Sequence, residues 1–406
     1  MPDVPVKSRL VFNFQGFEAS AGEKMLGRVV YCAKKTSEVW GISTEQKKQN
    51  QHLDEHFVEC DLEIIGEKWQ VNTRVIQFSF GDIVAPYLDG FIVGNMLKNV
   101  PKYLAFFFDG TVFRYFKQSK LYGGFALFPI IMMILFAGLS YGATSSLVGM
   151  LNFDDQIQTV SITILSIILF FVFCKWPGDR LLFPLTIGHW GYARDMAVGA
   201  NEDIEKRYEI FAQVVSRELT ISQHDEVVFA GHSFGAVWVP IVLAKVLDQN
   251  PSLLEGRRVT FLSMGGSLLS TALVPKASFF REKISKLLKL EELFWHDYQC
   301  KDDPVCFYKS DMFKALGLGA PEGGYQISRV NFKHSMDIKR YRKTKKSIYD
   351  IHRQYGLYQD KCISFDYFLR LLGPVYSDDL AKQPSKAKFV NTKKDVIVQD
   401  GIIQHH

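Results

Sequence analysis

Cysteine is scarce. Only six of 406 residues are cysteine (Cys32, Cys60, Cys174, Cys300, Cys306 and Cys362), and none forms a CxxC pair. That excludes a disulfide framework and the common zinc ribbons, and the six read as reduced thiols in a cytosolic setting. The opening MPDVPVKSRL has no apolar stretch, so it is not a signal peptide. A net charge of +5 is slight for this length, which argues against a nucleic-acid partner. His52 and His56 stand at helical spacing, but no third ligand type clusters with them, so they read as a solvated pair. No metal and no cofactor is expected.

The most informative lack is of charge within two stretches. Residues 121–153 contain no Asp, Glu, Lys or Arg, and neither do residues 157–174. About twenty apolar residues suffice to cross the hydrocarbon layer of a bilayer. Two transmembrane helices are therefore expected, joined by a short turn holding Asp154 and Asp155. A pair of buried core helices is the alternative, and such uniform apolarity makes it the weaker one. Arg114, Lys117 and Lys120 precede the first stretch, and Lys175 and Arg180 follow the second, so the positive-inside bias places both soluble arms in the cytoplasm. Lying on one side, the arms can build one domain split by the hairpin: residues 1–118, then the hairpin at 119–176, then 177–378. A polar, lysine-rich tail follows at 379–406 and is expected to be loose.

Within the second arm, residues 225–248 read DEVVFAGHSFGAVWVPIVLAKVLD. Val227 to Ala230 form an apolar run suited to a strand buried on both faces of a parallel sheet. Gly231-His232-Ser233-Phe234-Gly235 interrupts it, and a helical apolar pattern follows. Strand, G-x-S-x-G and helix make a nucleophile elbow, a turn that lifts a serine hydroxyl above the sheet edge. Such a serine needs a base, an acid to orient the base, and oxyanion donors.

Residues 9–15 (RLVFNFQ) are a strand that runs into Gly16-Phe17-Glu18, where this kind of sheet places an oxyanion donor. The backbone N–H groups of Phe17 and of Phe234, just after the serine, are the candidates. A helix is expected over 26–39, a loop over 44–54, and a β-hairpin from 56–65 and 68–80. Residues 201–219 form an amphipathic helix feeding the elbow strand. The next strand, 259–262, leads to a glycine-rich loop, SMGGS, that either lines a cleft or is a plain turn. Asp302 and Asp303 follow a late strand; Asp303, whose loop is fixed by Pro304, is the preferred orienting acid, with Asp302 facing water. Two histidines come later, His334 after a strand at 326–332 and His352 at a helix start, and local reading leaves both open. The basic run at 339–346 (KRYRKTKK) is a solvated helix face that also suits lipid headgroups.

Across residues 9–374 the chain resembles a family of bacterial membrane-anchored α/β hydrolases. Its members combine a P-G-Y-D-P type loop after a strand, a two-helix membrane insertion and a G-H-S-x-G-A elbow. A D-G-x-x-F acid loop, an H-F-Q-Y-L motif and a Y-D-Y-F…G-P segment follow. Here these stand as Gln15-Gly16-Phe17-Glu18, the hairpin at 121–174, residues 231–236, Asp303-Pro304-Val305-Cys306-Phe307, His352-Arg353-Gln354-Tyr355-Gly356, and Phe365-Asp366-Tyr367-Phe368 with Gly373-Pro374. The resemblance implies that Asp303 is the acid and His352 the base. Glu18-Ala19 depart from the family's Asp-Pro, and the family pattern has no histidine at position 334. The expectation is an α/β-hydrolase-like, mostly parallel sheet flanked by helices at the cytoplasmic face of a bacterial inner membrane. It would cleave an ester or thioester, lipid-like acyl chains included, through an acyl-enzyme on Ser233. Amide hydrolysis, acyl transfer and a non-catalytic membrane scaffold are the rival readings.

Overall fold

The computed structural model describes residues 6–50, 56–67, 69–151, 153–221, 223–363, 366–382, 396–399 and 402–405. His52, Lys68 and Phe365 lie outside the described residues. The first arm contributes β1 (Ser8–Phe14), α1 (Gly22–Trp40), β2 (Ser43–Asn50), β3 (Phe57–Ile65), β4 (Gln70–Phe78), α2 (Gly81–Leu88), α3 (Ile92–Phe108) and α4 (Thr111–Gln118). Two long helices follow, α5 (Lys120–Val148) and α6 (Asp155–Arg180). The second arm supplies α7 (Phe183–Val198), α8 (Glu202–Ile221), β5 (Glu226–His232), α9 (Gly235–Gln249), β6 (Val259–Met264), β7 (Leu293–Cys300) and β8 (Tyr325–Val330), with short helices between and after them.

Eight strands form one mostly parallel sheet in the order β2-β3-β4-β1-β5-β6-β7-β8. The β2–β3 and β3–β4 pairs are antiparallel and the other five pairs parallel. Both arms thus contribute to a single sheet, joined where β1 lies beside β5 with Phe14 in register with Gly231. The first strand of the chain is central because its residues serve two cores. Leu10, Phe12 and Phe14 point to one face, with Phe229 of β5 and Phe78 of β4, while Val11 and Val228 point to the other. Side chains alternate along a strand, so a strand covered on both faces has to read as an unbroken apolar run. Phe12 stacks on Phe229 at 4.9 Å between centroids, and each such buried ring is worth roughly 1.5–3 kcal/mol of transfer free energy. At the base of this seam the fully buried Arg9 pairs with Glu226 at 2.7 Å and donates to the Gly373 carbonyl at 2.7 Å. That pair fastens the end of the second arm to the first strand.

Two expectations are corrected. Of the loop expected over 44–54, residues 44–50 belong to the edge strand β2 and 51–54 lie outside the described residues; the polar strand sequence, STEQKKQN, is what an exposed edge tolerates. The expected loose tail is ordered at its start: Ser377–Lys382 is a helix, Leu380 is buried, and Asp378 and Asp379 hold Arg258 at 2.5 and 2.7 Å. Val396–Gln399 and Ile402–His405 pair as antiparallel strands.

Helices α5 and α6 are long and apolar enough to cross a membrane. They run antiparallel, with Thr144 and Ser166 hydroxyls 2.5 Å apart and Phe136 packed on Phe173. Their surroundings differ. The first half of α5 is packed in the protein through Tyr122, Phe125, Ala126, Met132 and Phe136, whereas α6 exposes Ile157, Val160, Ile164, Ile167 and Ile168, each about half open. Helix α6 is therefore not a core helix. Helices α2, α3, α4 and α7 gather at the base of this pair; Tyr103 of α3 donates to the Ala126 carbonyl of α5 at 2.7 Å.

Candidate active site

The elbow follows from local sterics. Ser233 has φ +55°, one of three non-glycine residues with positive φ among those described. A left-handed conformation costs a side-chain-bearing residue about 1–3 kcal/mol, and the surroundings have to hold it there. They do so through the backbone: Ser233 N–H donates to the Met264 carbonyl at 3.1 Å, and Ser267 and Ala236 N–H groups donate to the Ser233 carbonyl. The flanking glycines are required by close approach. A Cβ on Gly231 would strike the Ala236 backbone, and one on Gly235 would strike the Phe14 and Gln15 carbonyls. The SMGGS segment braces the turn and does not line the cleft of Ser233, while its Ser263 and Gly266 line a separate cavity.

Because β1 adjoins β5, the loop after β1 lies against the elbow. Gly16 is so close that a Cβ there would sit 2.9 Å from His232 Nδ1 and 3.2 Å from Ser233 Cβ. Phe17 and Phe234 pack edge-to-face at 6.2 Å. Among the described residues no group accepts from the backbone N–H of either. Glu18 anchors this loop. It accepts from Arg28 Nη1 and Nη2 at 3.0 and 2.7 Å, and Arg353 Nε lies 3.1 Å away as an ion pair. Burial raises the Glu18 pKa, but the Arg28 hydrogen bond and the charges of Arg28 and Arg353 outweigh it and hold the carboxyl below its ordinary value. Position 18, where the resemblance breaks, is thus a carboxylate clamped between two guanidiniums.

The acid and base come together across 49 residues. Asp303, fully buried in the loop after β7, has Oδ2 2.8 Å from His352 Nδ1, and its Oδ1 accepts from Val305 N–H at 2.8 Å. With Nδ1–H donating to that carboxylate, His352 Nε2 carries the lone pair. Nε2 is buried and without a hydrogen-bond partner, and His352 and Ser233 line the same cleft. His232 Nε2 lies 2.9 Å from the His352 carbonyl oxygen, fixing the backbone of the base from within the elbow. Burial, together with the His352 charge, pushes His232 down to about 3, so it is a neutral donor. His334 is exposed on the short helix Phe332–Ser335 and does not line the cleft. Asp302 does not face water as expected. It accepts from Tyr341 Oη at 2.9 Å and has Lys345 Nζ at 3.6 Å.

Sequence reasoning missed the walls. The cleft encloses about 630 Å³ including its open mouth, within the usual range for small-molecule sites. Phe125 and Phe128 of α5, Leu181 and Leu182 after α6, and Leu185 and His189 of α7 line it. His189 is buried, is pushed down to about 3 by burial and the His352 charge, and packs on Phe17 at 5.7 Å and Phe234 at 5.0 Å. Nothing near His189 in the sequence marks it; only the fold brings it to the elbow. No protein-family model matches the chain, and no curated protein or solved structure matches it either.

Proposed function

We propose that this chain is a serine hydrolase of the α/β-hydrolase type, held at a membrane by the α5–α6 hairpin with both soluble arms on the cytoplasmic side of a bacterial inner membrane. One observation carries the reading. Ser233 stands in a left-handed turn at the end of a central strand and shares a cleft with His352, whose far nitrogen is 2.8 Å from the buried Asp303. In this reading Ser233 Oγ attacks an acyl carbonyl while His352 Nε2 takes its proton. Asp303 holds the imidazolium that forms. The Phe17 and Phe234 N–H groups receive the oxyanion, at about 3 kcal/mol of transition-state stabilisation each. The order of serine, acid and histidine along the chain is that of α/β hydrolases, and the β1 loop beside the elbow is where such sheets supply the second donor. An ester or thioester with an apolar acyl chain, lipids included, suits a cleft with phenylalanine and leucine walls. The exposed apolar face of α6 supports the membrane anchor, and the flanking Arg114, Lys117, Lys120, Lys175 and Arg180 support its orientation.

Fluorophosphonate labelling of the full chain in membranes tests the reaction type. Wild type is expected to label, and Ser233→Ala not to. A folded, inserted wild type that does not label would mark a non-catalytic scaffold. On a p-nitrophenyl ester, His352→Ala is expected to lose activity and His334→Ala to keep it; the reverse would sink the assignment of the base.

A further inference from the structure

The walls of the cleft are continuous with the hairpin, and this specifies where the acyl chain comes from. We infer, building on the hydrolase reading above, that Ser233 deacylates lipids of the bilayer that holds the protein. One chain enters the cleft sideways at the level of the headgroups, between the start of α5 and the start of α7.

Length fixes the depth of the mouth. Helix α6 has 26 residues, about 39 Å at roughly 1.5 Å per residue, against about 30 Å of hydrocarbon and about 40–45 Å with headgroups. With the uncharged residues 157–174 in the hydrocarbon, Trp176 falls roughly 3 Å past its edge, inside a headgroup layer roughly 5–8 Å thick, and Leu181 roughly 10 Å past it, at the cytoplasmic boundary of that layer. Trp176 marks that layer: it is 65% exposed and Arg180 stacks over its ring at 5.1 Å, an aromatic and a cation at the depth where both are favoured. Leu181, 47% exposed, and the partly exposed Phe128, Leu182 and Leu185 give the mouth an apolar rim. Among the residues lining the cleft only Glu18 and Arg353 are charged, and they pair with each other. A rim of this kind exposed to water is a liability; facing lipid it is a doorway.

The chemistry fits that depth. The ester carbonyls of a glycerolipid lie at the boundary between chains and headgroups, so a chain sliding into the cleft carries its carbonyl toward Ser233 without the whole lipid leaving the membrane. The serine oxygen bonds to the acyl carbon, and the bond from that carbon to the glycerol oxygen breaks. The serine proton passes through His352 Nε2 to the departing oxygen. Water then adds to the acyl-enzyme, releasing a fatty acid and restoring the serine hydroxyl.

Proteoliposomes test the inference. The full chain is reconstituted in phosphatidylcholine–phosphatidylglycerol vesicles carrying a phospholipid with a fluorescent acyl chain, and the same lipid is offered separately in protein-free vesicles. Release from the protein's own vesicle is expected to be roughly ten-fold faster or more, because both partners share one surface. It should also fall in proportion as a diether lipid dilutes the substrate in that surface. Equal release from both vesicle populations overturns lateral entry, as does a chain that labels at Ser233 and cleaves p-nitrophenyl acetate but releases no fatty acid from either. Leu185→Trp, its fold checked by its melting temperature, is expected to lower the ratio of dodecanoyl to acetyl ester kcat/KM by roughly ten-fold or more. An unchanged ratio in the folded variant removes the cleft as the path of the chain. Failure of wild type to label with fluorophosphonate is separate: it removes the hydrolase reading on which the inference rests.

Discussion

Among the described residues two buried groups combine serine, histidine and aspartate, and one of them stands at a left-handed turn beside a cleft. The first is Ser233, His352 and Asp303. The second lies between β6, β7 and β8, where Ser263 Oγ donates to Asp297 Oδ1 at 2.8 Å and His296 Nε2 is 2.8 Å from Ser328 Oγ. His296 and Asp297 are consecutive residues of β7 and point to opposite faces of the sheet, so these are two separate pairs and not a triad. The difference lies in what each group has left to offer. Ser263 and Ser328 sit in regular strands with their hydroxyls already bonded, and Asp297 also accepts from Gln299 at 2.9 Å. Burial raises Asp297 and drives His296 well below its ordinary value, which removes charge instead of presenting it. At the elbow Ser233 in its strained turn and His352 with its unpartnered Nε2 line an open cleft, and among the described residues the Phe17 and Phe234 N–H groups have no acceptor. His296 Nδ1 is also unpartnered, and Ser263, His296 and Asp297 line a cavity of their own, so what sets the elbow apart is a left-handed serine sharing a cleft with a histidine that is paired with a buried carboxylate.

Removing the hydroxyl gives the largest expected contrast: Ser233→Ala should lower kcat by about 10⁴-fold or more, while Ser328→Ala stays within a few-fold, measured on one p-nitrophenyl ester. Comparable losses would erase the distinction between the clusters. Asp303→Asn should cost about 10⁴-fold in kcat by admitting the wrong imidazole tautomer, and Asp297→Asn should leave the rate near wild type. His232→Phe, which withdraws the anchor from the His352 backbone, is expected to cost about 10- to 100-fold in kcat. A KM change with kcat intact would instead assign His232 to substrate binding.

The smallest effect is on stability, and it has opposite signs in the two regions. The raised Asp297 carboxyl favours the fold at low pH, and that contribution is lost as pH rises from the unfolded value of about 4 through its higher folded value. Glu18 is held low, so its contribution is present above about 4.3 and lost as pH falls through its folded value. Melting curves from pH 3 to 8 should therefore show Asp297→Asn gaining on wild type as pH rises. Glu18→Gln should be closest to wild type at the acid end. A common direction for both would contradict the burial and pairing described for them.

Much of this was legible because the informative residues were local. Strand β5, the elbow and α9 are contiguous, and their glycines answer contacts within a few residues or on the adjoining strand. The apolar helices announce themselves by lack of charge over more than a dozen residues. Asp303 and His352 were reached through an ordered set of motifs, because no local feature separates His352 from His334; in the structure His352 Nδ1 lies 2.8 Å from Asp303 Oδ2. The polar edge β2 was invisible to hydrophobic periodicity, since an edge strand buries little. His189, Phe125 and Leu185 were missed for another reason. Each is an ordinary residue on an apolar helix, and its place at the cleft is set by how α5 and α7 pack.

The strand order also governs how the chain can be made. Strand β1 is synthesised first, yet one of its neighbours, β5, emerges only after α5 and α6 have been completed. Until then Leu10, Phe12 and Phe14 border an unpaired edge, so half a sheet waits while the hairpin finds its place. Formation of the sheet is consequently ordered, with the helical hairpin made ahead of closure, and Ser233 arrives directly after the strand that completes the seam. A nascent chain stalled before β5 has the hairpin but not Ser233, nor Asp303 and His352, which come later still.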